Sequence, residues 1–209
     1  MGIDCLVAPT YINGIAERHR DAAVELYEEA FGGKFSVAVR SKEQRARLFQ
    51  RCLDLDYAIG AVRDSELLGL AGYCTAEGAL TGSISYAELI SQLGFIKGNW
   101  AAFVFTLYDR TAEPGELLMD GIVVRSVARG LGIGSGLLDE ICSLARRNGC
   151  QSVRLDVIDT NPRARKLYES LGFEAVKTEK FLYLKWLLGF GGATTMVLDL
   201  KKVDHGLDK

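Results

Sequence analysis

The sequence predicts a fold of the α/β (α+β) class, helices flanking a sheet, on three observations. A strand, helix, strand, helix order runs from residue 116 to 171, which implies a parallel strand pair joined by a right-handed crossover. Two strand-like runs, Tyr57 to Val62 and Leu67 to Thr75, flank the polar stretch Arg63-Asp64-Ser65-Glu66, a hairpin signal. Between that hairpin and residue 116 the pattern turns helical. The 209 residues, 48% hydrophobic and 25% charged, can bury a substantial core. They contain no repeat or low-complexity linker, so one domain over 1–209 is expected, with a helical insertion at about 83–112.

The elements follow in order. Ile3 to Val7 is the first expected strand. From Asn13 to Phe31 the residues Ile15, Ala22, Ala23, Leu26, Tyr27 and Ala30 recur at helical spacing, and Gly32-Gly33 is expected to end that helix. Ser41 and Gln44 stand at capping-box spacing before a second helix displaying Leu48, Cys52 and Leu55. In the insertion, Ser85 and Glu88 repeat the capping box, and Leu89, Leu93 and Ile96 share a face. Trp100, Phe103, Val104 and Leu107 then recur at i, i+3, i+4, i+7, which makes two inserted helices. Glu113-Pro114-Gly115 closes the insertion. Strand Glu116 to Val124, a glycine-rich turn at 129–136, a helix to about Arg147, strand Ser152 to Ile158 and a helix from Pro162 to Leu171 follow, then a last strand pair. Asn161 as N-cap, Pro162 at the first helical position and Gly172 past the end frame the latter helix.

Composition excludes several functions. Lys+Arg at 25 against Asp+Glu at 27 gives a net charge of −2, with no broad positive field for nucleic acid or anionic membrane. The basic run Arg40, Lys42, Arg45, Arg47 and Arg51 is expected to form a solvated helix face. Cys5, Cys52, Cys74, Cys142 and Cys150 are widely spaced, lack a CxxC, and have only His19 and His205 as partners. No metal site is expected, and reduced, mostly buried thiols in a cytoplasmic protein are. MGIDCLVAPT has no signal-peptide pattern, and no apolar run approaches a membrane span.

Arg129-Gly130-Leu131-Gly132-Ile133-Gly134-Ser135-Gly136 leads from a strand into a helix whose apolar face is Ile133, Leu137, Ile141, Leu144 and Ala145. A helix start leaves about four backbone N–H groups unpaired and gathers partial positive charge. Glycines remove the Cβ atoms that would hold a bulky anion away, and Arg129 adds a charged donor, so the turn is a phosphate or pyrophosphate cradle. A P-loop needs Lys and Ser or Thr after its last glycine, whereas Leu137 follows Gly136. The dinucleotide pattern GxGxxG fails in both registers, its last glycine falling on Ser135 or Leu137.

What remains is RxxGxG at Arg129, Gly132 and Gly134, and about 30 residues downstream Asn161, Ala164, Leu167-Tyr168-Glu169 and Leu171-Gly172-Phe173 spell NxxAxxLYExLGF. In these two motifs, in this order, the sequence resembles the GNAT superfamily of acyl-CoA-dependent N-acetyltransferases over roughly 116–173. The resemblance implies a mixed, largely antiparallel sheet with a central splayed parallel strand pair, flanked by helices. It implies acetyl-CoA as cosubstrate, with its pyrophosphate on Arg129, Gly130, Leu131, Gly132, Ile133, Gly134 and Ser135. Pantetheine would lie between the splayed strands against the backbone of Ile122, Val123 and Val124, with Asn161 close to it. An amide near Ile122 would face the thioester oxygen. The helical insertion departs from the family's short connection between the third and fourth strands.

The reaction so implied is attack of an amine on a thioester. An alkyl amine with a pKa near 10.4 is protonated at pH 7, so a base, or a water chain leading to one, must take a proton. Side-chain alternation puts Glu116 and Asp120 on one face of the fourth strand, with Leu118 between them. Asp156, on the neighbouring strand, matches a position where some members of the family place their base. Asp120 ranks first, then Glu116, then Asp156; each also fits a carboxylate that binds backbone amides. Tyr168 is the family's proton donor to the departing thiolate. It also fits the buried face with Ala164, Leu167 and Leu171, and Asn161 also fits a plain N-cap.

The acceptor is a small-molecule or protein amine, and no ring of acidic residues selects polyamines or aminoglycosides. The inserted helices either form the acceptor pocket or cover a sheet face. Phe181 to Phe190, FLYLKWLLGF, packs in the core, lines the acceptor site or joins a homodimer partner. The competing reading is a non-catalytic coenzyme-A-binding sensor or interaction module, which needs the glycine turn but no base.

Overall fold

The computed structural model describes residues 8–82, 84–106, 111–182, 185 and 189–204. Its seven strands are β1 (Thr10–Asn13), β2 (Ala58–Arg63), β3 (Glu66–Cys74), β4 (Glu116–Val124), β5 (Ser152–Ile158), β6 (Glu174–Lys180) and β7 (Gly192–Asp199). The helices are α1 (Arg20–Phe35), α2 (Lys42–Cys52), α3 (Tyr86–Thr106), α4 (Ile133–Arg147), α5 (Pro162–Ser170) and the short α6 (Leu200–Asp204). The strands form one sheet in the order β1-β2-β3-β4-β5-β7-β6, antiparallel throughout except for the parallel pair β4 and β5. This is the expected mixed sheet. The expected strand Ile3 to Val7 lies outside the described residues, as does Cys5.

Local signals hold where they close within one turn. Ser41 accepts from the Gln44 amide, Ser85 from that of Glu88, and Asn161 from that of Ala164. Asp64 and Ser65 both take left-handed φ, +50° and +65°, the backbone of a tight two-residue hairpin. The insertion is two helical halves of α3 broken at Gly94, whose φ of +77° no helix interior tolerates.

Three expectations are corrected. The first helix begins at Arg20, not at Asn13, which is the last residue of β1. Gly32-Gly33 does not end α1, which continues to Phe35. A Cβ at Gly32 would fall on the Glu28 carboxylate, so the glycine makes room for a buried ion pair, Arg45 Nη2 to Glu28 Oε1 at 2.6 Å. The extra turn also buries Phe35 against Tyr27, Phe49 and Phe105. Burial of one such ring contributes about 1.5–3 kcal/mol, which offsets the roughly 1 kcal/mol that a mid-helix glycine costs. For the same reason Arg45 is not part of a solvated face: it is 7% exposed, and its Nη1 donates to the Val39 and Arg40 carbonyls.

The sheet lies between two helical layers. On one face Ile133, Leu137, Ile141, Leu144 and Ala145 of α4, with Tyr168 of α5, pack on Leu117, Met119, Val153 and Leu155. On the other, Val24, Leu26 and Tyr27 of α1 and Phe49 of α2 pack on Leu67, Leu70 and Val123. α3 joins α2 through a third cluster that includes Leu48, Cys52, Leu89, Ala101 and Val104, and Trp100 Nε1 donates to the Val37 carbonyl. Cys52, Cys142 and Cys150 are free thiols, and burial pushes Cys52 and Cys142 up to about 11. No described helix is long and apolar enough to cross a membrane.

Candidate functional site

The site begins with a fault in the sheet. Gly72 pairs with Gly121 and Tyr73 with Met119, so Asp120 is an extra, unpaired residue in β4. Such a bulge bends a strand and increases its twist. The parallel ladder of β4 and β5 accordingly runs from Glu116 and Ser152 to Met119 and Leu155, then stops. Beyond it β4 stays with β3 through Val124, while β5 stays with β7 through Ile158. The two strands splay, and the β5-facing edge of β4 from Asp120 to Val124, with Ile122 and Val123 inside it, has no ladder partner.

The bulge also resets which side chains face where. Leu118 and Asp120 line a cavity on the α1 side, a Cβ at Gly121 would meet the Phe31 ring on that side, and Ile122 and Val124 turn toward the α4 core. That cavity, about 430 Å³, is walled by Tyr27, Lys34 and Phe35 of α1, by Tyr86, Leu89, Ala102, Phe105 and Thr106 of α3, and by the segment after β3. The insertion therefore borders the site. A smaller cavity of about 70 Å³ occupies the splay, lined by Lys34, Leu118, Met119, Asp120, Asp156, Ile158, Phe190 and Ala193.

The three candidate carboxylates separate clearly. Asp120 borders both cavities and is exposed, with one oxygen accepting from the Tyr27 hydroxyl at 3.1 Å. Burial, then the neighbouring Asp120, pushes the Tyr27 phenol well above the ordinary tyrosine value, so that hydroxyl remains a donor. Asp156 borders only the splay and accepts from Thr195 Oγ1 at 2.6 Å. Glu116 borders neither. It lies four residues from Asp120 at the paired end of β4, about 13 Å along an extended strand, with Oε1 3.2 Å from Arg154 Nε. That contact is an ion pair too poorly aligned to be a hydrogen bond, since among the described residues the Arg154 Nε has no hydrogen-bond partner.

At the far end of β4 the chain passes through a 3₁₀ turn into the glycine turn. Gly130 and Gly132 have φ of +84° and +77°, and no atom lies within 4 Å of where a Cβ would stand on either. Gly132 is the left-handed N-cap of α4, and its carbonyl accepts from Gly136. No side chain caps this helix. Among the described residues the six successive N–H groups of Gly130, Leu131, Gly132, Ile133, Gly134 and Ser135 have no hydrogen-bond partner. Arg129 flanks them: its Nε donates to the Val124 carbonyl, and its Nη2 lies 3.5 Å from Glu29.

α5 completes the arrangement. A Cβ on Gly134 would be 3.9 Å from Val124 Cγ2 and 4.0 Å from Leu167 Cδ2, so the turn lies between the end of β4 and α5. Tyr168, next to Leu167, is 8% exposed and packs on Phe173. Burial pushes its phenol up to about 12, and among the described residues its hydroxyl makes no hydrogen bond. Asn161 uses its side chain as the N-cap.

Of FLYLKWLLGF, residues 183, 184 and 186–188 lie outside the described residues. Phe181 and Phe190 meet edge to face at 5.6 Å, Phe190 borders the splay, and Leu182 is exposed. Sequence reasoning missed Tyr27 and Lys34 as site residues. Tyr27 reads as one more apolar position of α1, and nothing local ties it to a carboxylate 93 residues away.

Comparison with known proteins agrees with this geometry. A solved acetyltransferase matches with a TM-score of 0.61 at 22% identity, covering 91% of this chain and 99% of its own. The ribosomal-protein-S18-alanine N-acetyltransferase from Escherichia coli matches with a TM-score of 0.55 at 16% identity, covering 92% and 94%. At those identities the likeness is one of fold. Thialysine N-epsilon-acetyltransferase from Bos taurus is 39% identical over 90 residues, 41% of this chain and 52% of that protein. The chain spans about half or less of the length of the curated relatives it matches. The model of the acetyltransferase (GNAT) family matches residues 20–173, from the start of α1 to the phenylalanine after Gly172. With that match covering more than half of the sequence, on a sheet splayed beside a glycine turn, the chain belongs to the GNAT acetyltransferase family.

Proposed function

We propose that this chain is an acyl-CoA-dependent N-acetyltransferase, a single domain that moves an acetyl group from acetyl-CoA to a primary amine by direct attack on the thioester. The observation that carries the reading is the run of six unpaired amides at Gly130–Ser135, at the end of a strand that has left its parallel partner. That donor set fits a diphosphate, which offers several acceptor oxygens and negative charge to a helix N-terminus, and the two open glycines let it approach. The unpaired edge of β4 at Ile122, Val123 and Val124 suits the amides of an extended pantetheine chain, which pair as an added strand does.

When bound, the coenzyme supplies an acyl group activated as a thioester and a thiolate leaving group. Asp120, on the border of the larger cavity and the splay, takes the proton of the incoming amine, directly or through water. Tyr27 fixes the orientation of that carboxylate. Asp156, reaching only the splay, is second choice, and Glu116 serves the Arg154 ion pair. A backbone amide near Ile122 stabilises negative charge developing on the carbonyl oxygen. Tyr168 donates a hydrogen bond to the sulfur.

The test is a panel of primary amines assayed for release of free thiol, with acetyl and longer acyl donors. Amine-dependent release from acetyl-CoA is expected. Binding of acetyl-CoA with silence across the panel favours the non-catalytic module, and failure to bind it at millimolar concentration removes both readings.

A further inference from the structure

We propose that a second copy of this chain docks on the outer face of α3, the same face of each copy pairing antiparallel across a two-fold axis near Trp100. The second half of the helix, residues 95–106, carries one charge, Lys97, and no carboxylate. It is apolar on both sides. Gly98, Ala101 and Val104 are buried on the inner side, where a Cβ at Gly98 would lie 2.8 Å from Ile90 Cδ1 and 2.9 Å from the Leu89 carbonyl oxygen, so the two halves close on each other. On the outer side Phe95, Ile96, Trp100 and Phe103 are 43 to 84% exposed. A helix that is apolar all round is a buried helix, and here the described residues cover one side only.

The outer face is held in shape. Trp100 Nε1 donates to the Val37 carbonyl at 2.9 Å, and the Trp100 and Phe103 rings lie 5.9 Å apart. The polar side chains on this side bond within α3: Asn99 Nδ2 to the Phe95 carbonyl, Thr106 Oγ1 to that of Ala102, and the Tyr86 hydroxyl to Asn99 Oδ1. At about 150–250 Å² for a whole aromatic side chain, the exposures of the four apolar residues leave on the order of 500 Å² uncovered. A specific interface takes about 800 Å² from each partner, with an apolar centre and a polar rim, so the patch has the size of one such centre.

Charge selects the occupant. A face with several like charges would repel its own copy, and a face without carboxylates gives a basic partner nothing to pair with. Antiparallel pairing about Trp100 sets Lys97 of each copy at the height of Phe103 of the other, and an ammonium over a ring is a favourable contact made twice. A helix that lies in a membrane surface carries a strongly basic polar face, whereas Lys97 is the one basic residue in Tyr86–Thr106. Ala102, Phe105 and Thr106 of the same helix wall the larger cavity, so the contact braces that wall.

The test is sedimentation equilibrium of the full chain at about 10 μM, where a Kd of about 1 μM gives mostly dimer. Twice the mass of one chain is expected. Ile96→Lys, at the most exposed position of the patch, is expected to weaken association at least tenfold with the circular dichroism spectrum retained. Val176→Lys, on the exposed strand β6, is expected to leave it within twofold. Phe103→Lys sets like charges together and is expected to weaken association at least tenfold more than Phe103→Glu, which faces Lys97. A monomer at that concentration overturns the inference, as does a dimer that Ile96→Lys leaves intact, or equal effects of the two changes at Phe103. Co-sedimentation of the chain with vesicles of phosphatidylcholine and phosphatidylserine, abolished by Ile96→Lys, would give the face to a membrane and also overturns it.

Discussion

Replacing Tyr168 with phenylalanine separates chemistry from packing. The ring is buried against Phe173, and the hydroxyl makes no hydrogen bond among the described residues, so its removal leaves no partner unsatisfied. Stability at neutral pH is therefore expected to change by less than about 1 kcal/mol. A hydrogen bond to a charged group contributes about 1.5–3 kcal/mol, so losing one to the departing sulfur slows turnover roughly tenfold to 150-fold. Full proton transfer is a poor alternative. The phenol is pushed up to about 12, against about 8.5 for a cysteine-like thiol, which makes transfer uphill by about 5 kcal/mol. The assay is thiol release at saturating acetyl-CoA, beside a calorimetric Kd. Turnover within twofold of the parent, or a tenfold weaker Kd with turnover unaltered, refutes the role. The same variant tests the burial. Because the folded pKa is raised, Tyr168 contributes fully below pH 10, and that contribution is lost as pH rises from 10 to about 12, where the unfolded chain gives up its proton first. About 3 kcal/mol is involved, so denaturant midpoints should fall less steeply in Tyr168→Phe than in the parent above pH 10.

Asp120→Asn should lower kcat/KM at least a hundredfold, the range of a lost general base, while Glu116→Gln stays within threefold; the reverse order in the thiol assay would move the base to the other end of β4. Gly132→Ala forces a side chain onto a φ of +77° at the cap of α4, and acetyl-CoA should bind at least tenfold more weakly by calorimetry, with the circular dichroism spectrum retained. Glu28→Gln leaves the Arg45 guanidinium buried without its counter-charge, a loss of about 3–5 kcal/mol. For a chain of this size that lowers Tm by roughly 6–20 °C, and a shift under 2 °C would show that the backbone carbonyls at 39 and 40 suffice.

The features readable from sequence are those whose partners lie within a turn. Ser41, Ser85 and Asn161 each bond an amide three residues on, and their caps appear where the sequence places them. The apolar stripe of α4 is fully buried, because one helix period is enough to define its face. Gly32-Gly33 misleads for the opposite reason. Its local signal is a helix end, and what overrides that signal is Arg45, which pairs with Glu28 from 17 residues away. Strand alternation likewise gives Glu116 and Asp120 one face, but the bulge at Asp120 and the Arg154 pair separate their surroundings.

By itself, then, the order of residues determined the glycine turn, the capped helix behind it and the crossover between β4 and β5, since these depend on backbone freedom and on groups a few residues apart. Only the folded chain decided where the parallel ladder ends, which carboxylate reaches the splay, and that a lysine of α1 stands beside it. Those outcomes require segments up to about 90 residues apart to meet, and their positions come from core packing on both faces of the sheet, a sum of many contacts that no short stretch of sequence encodes.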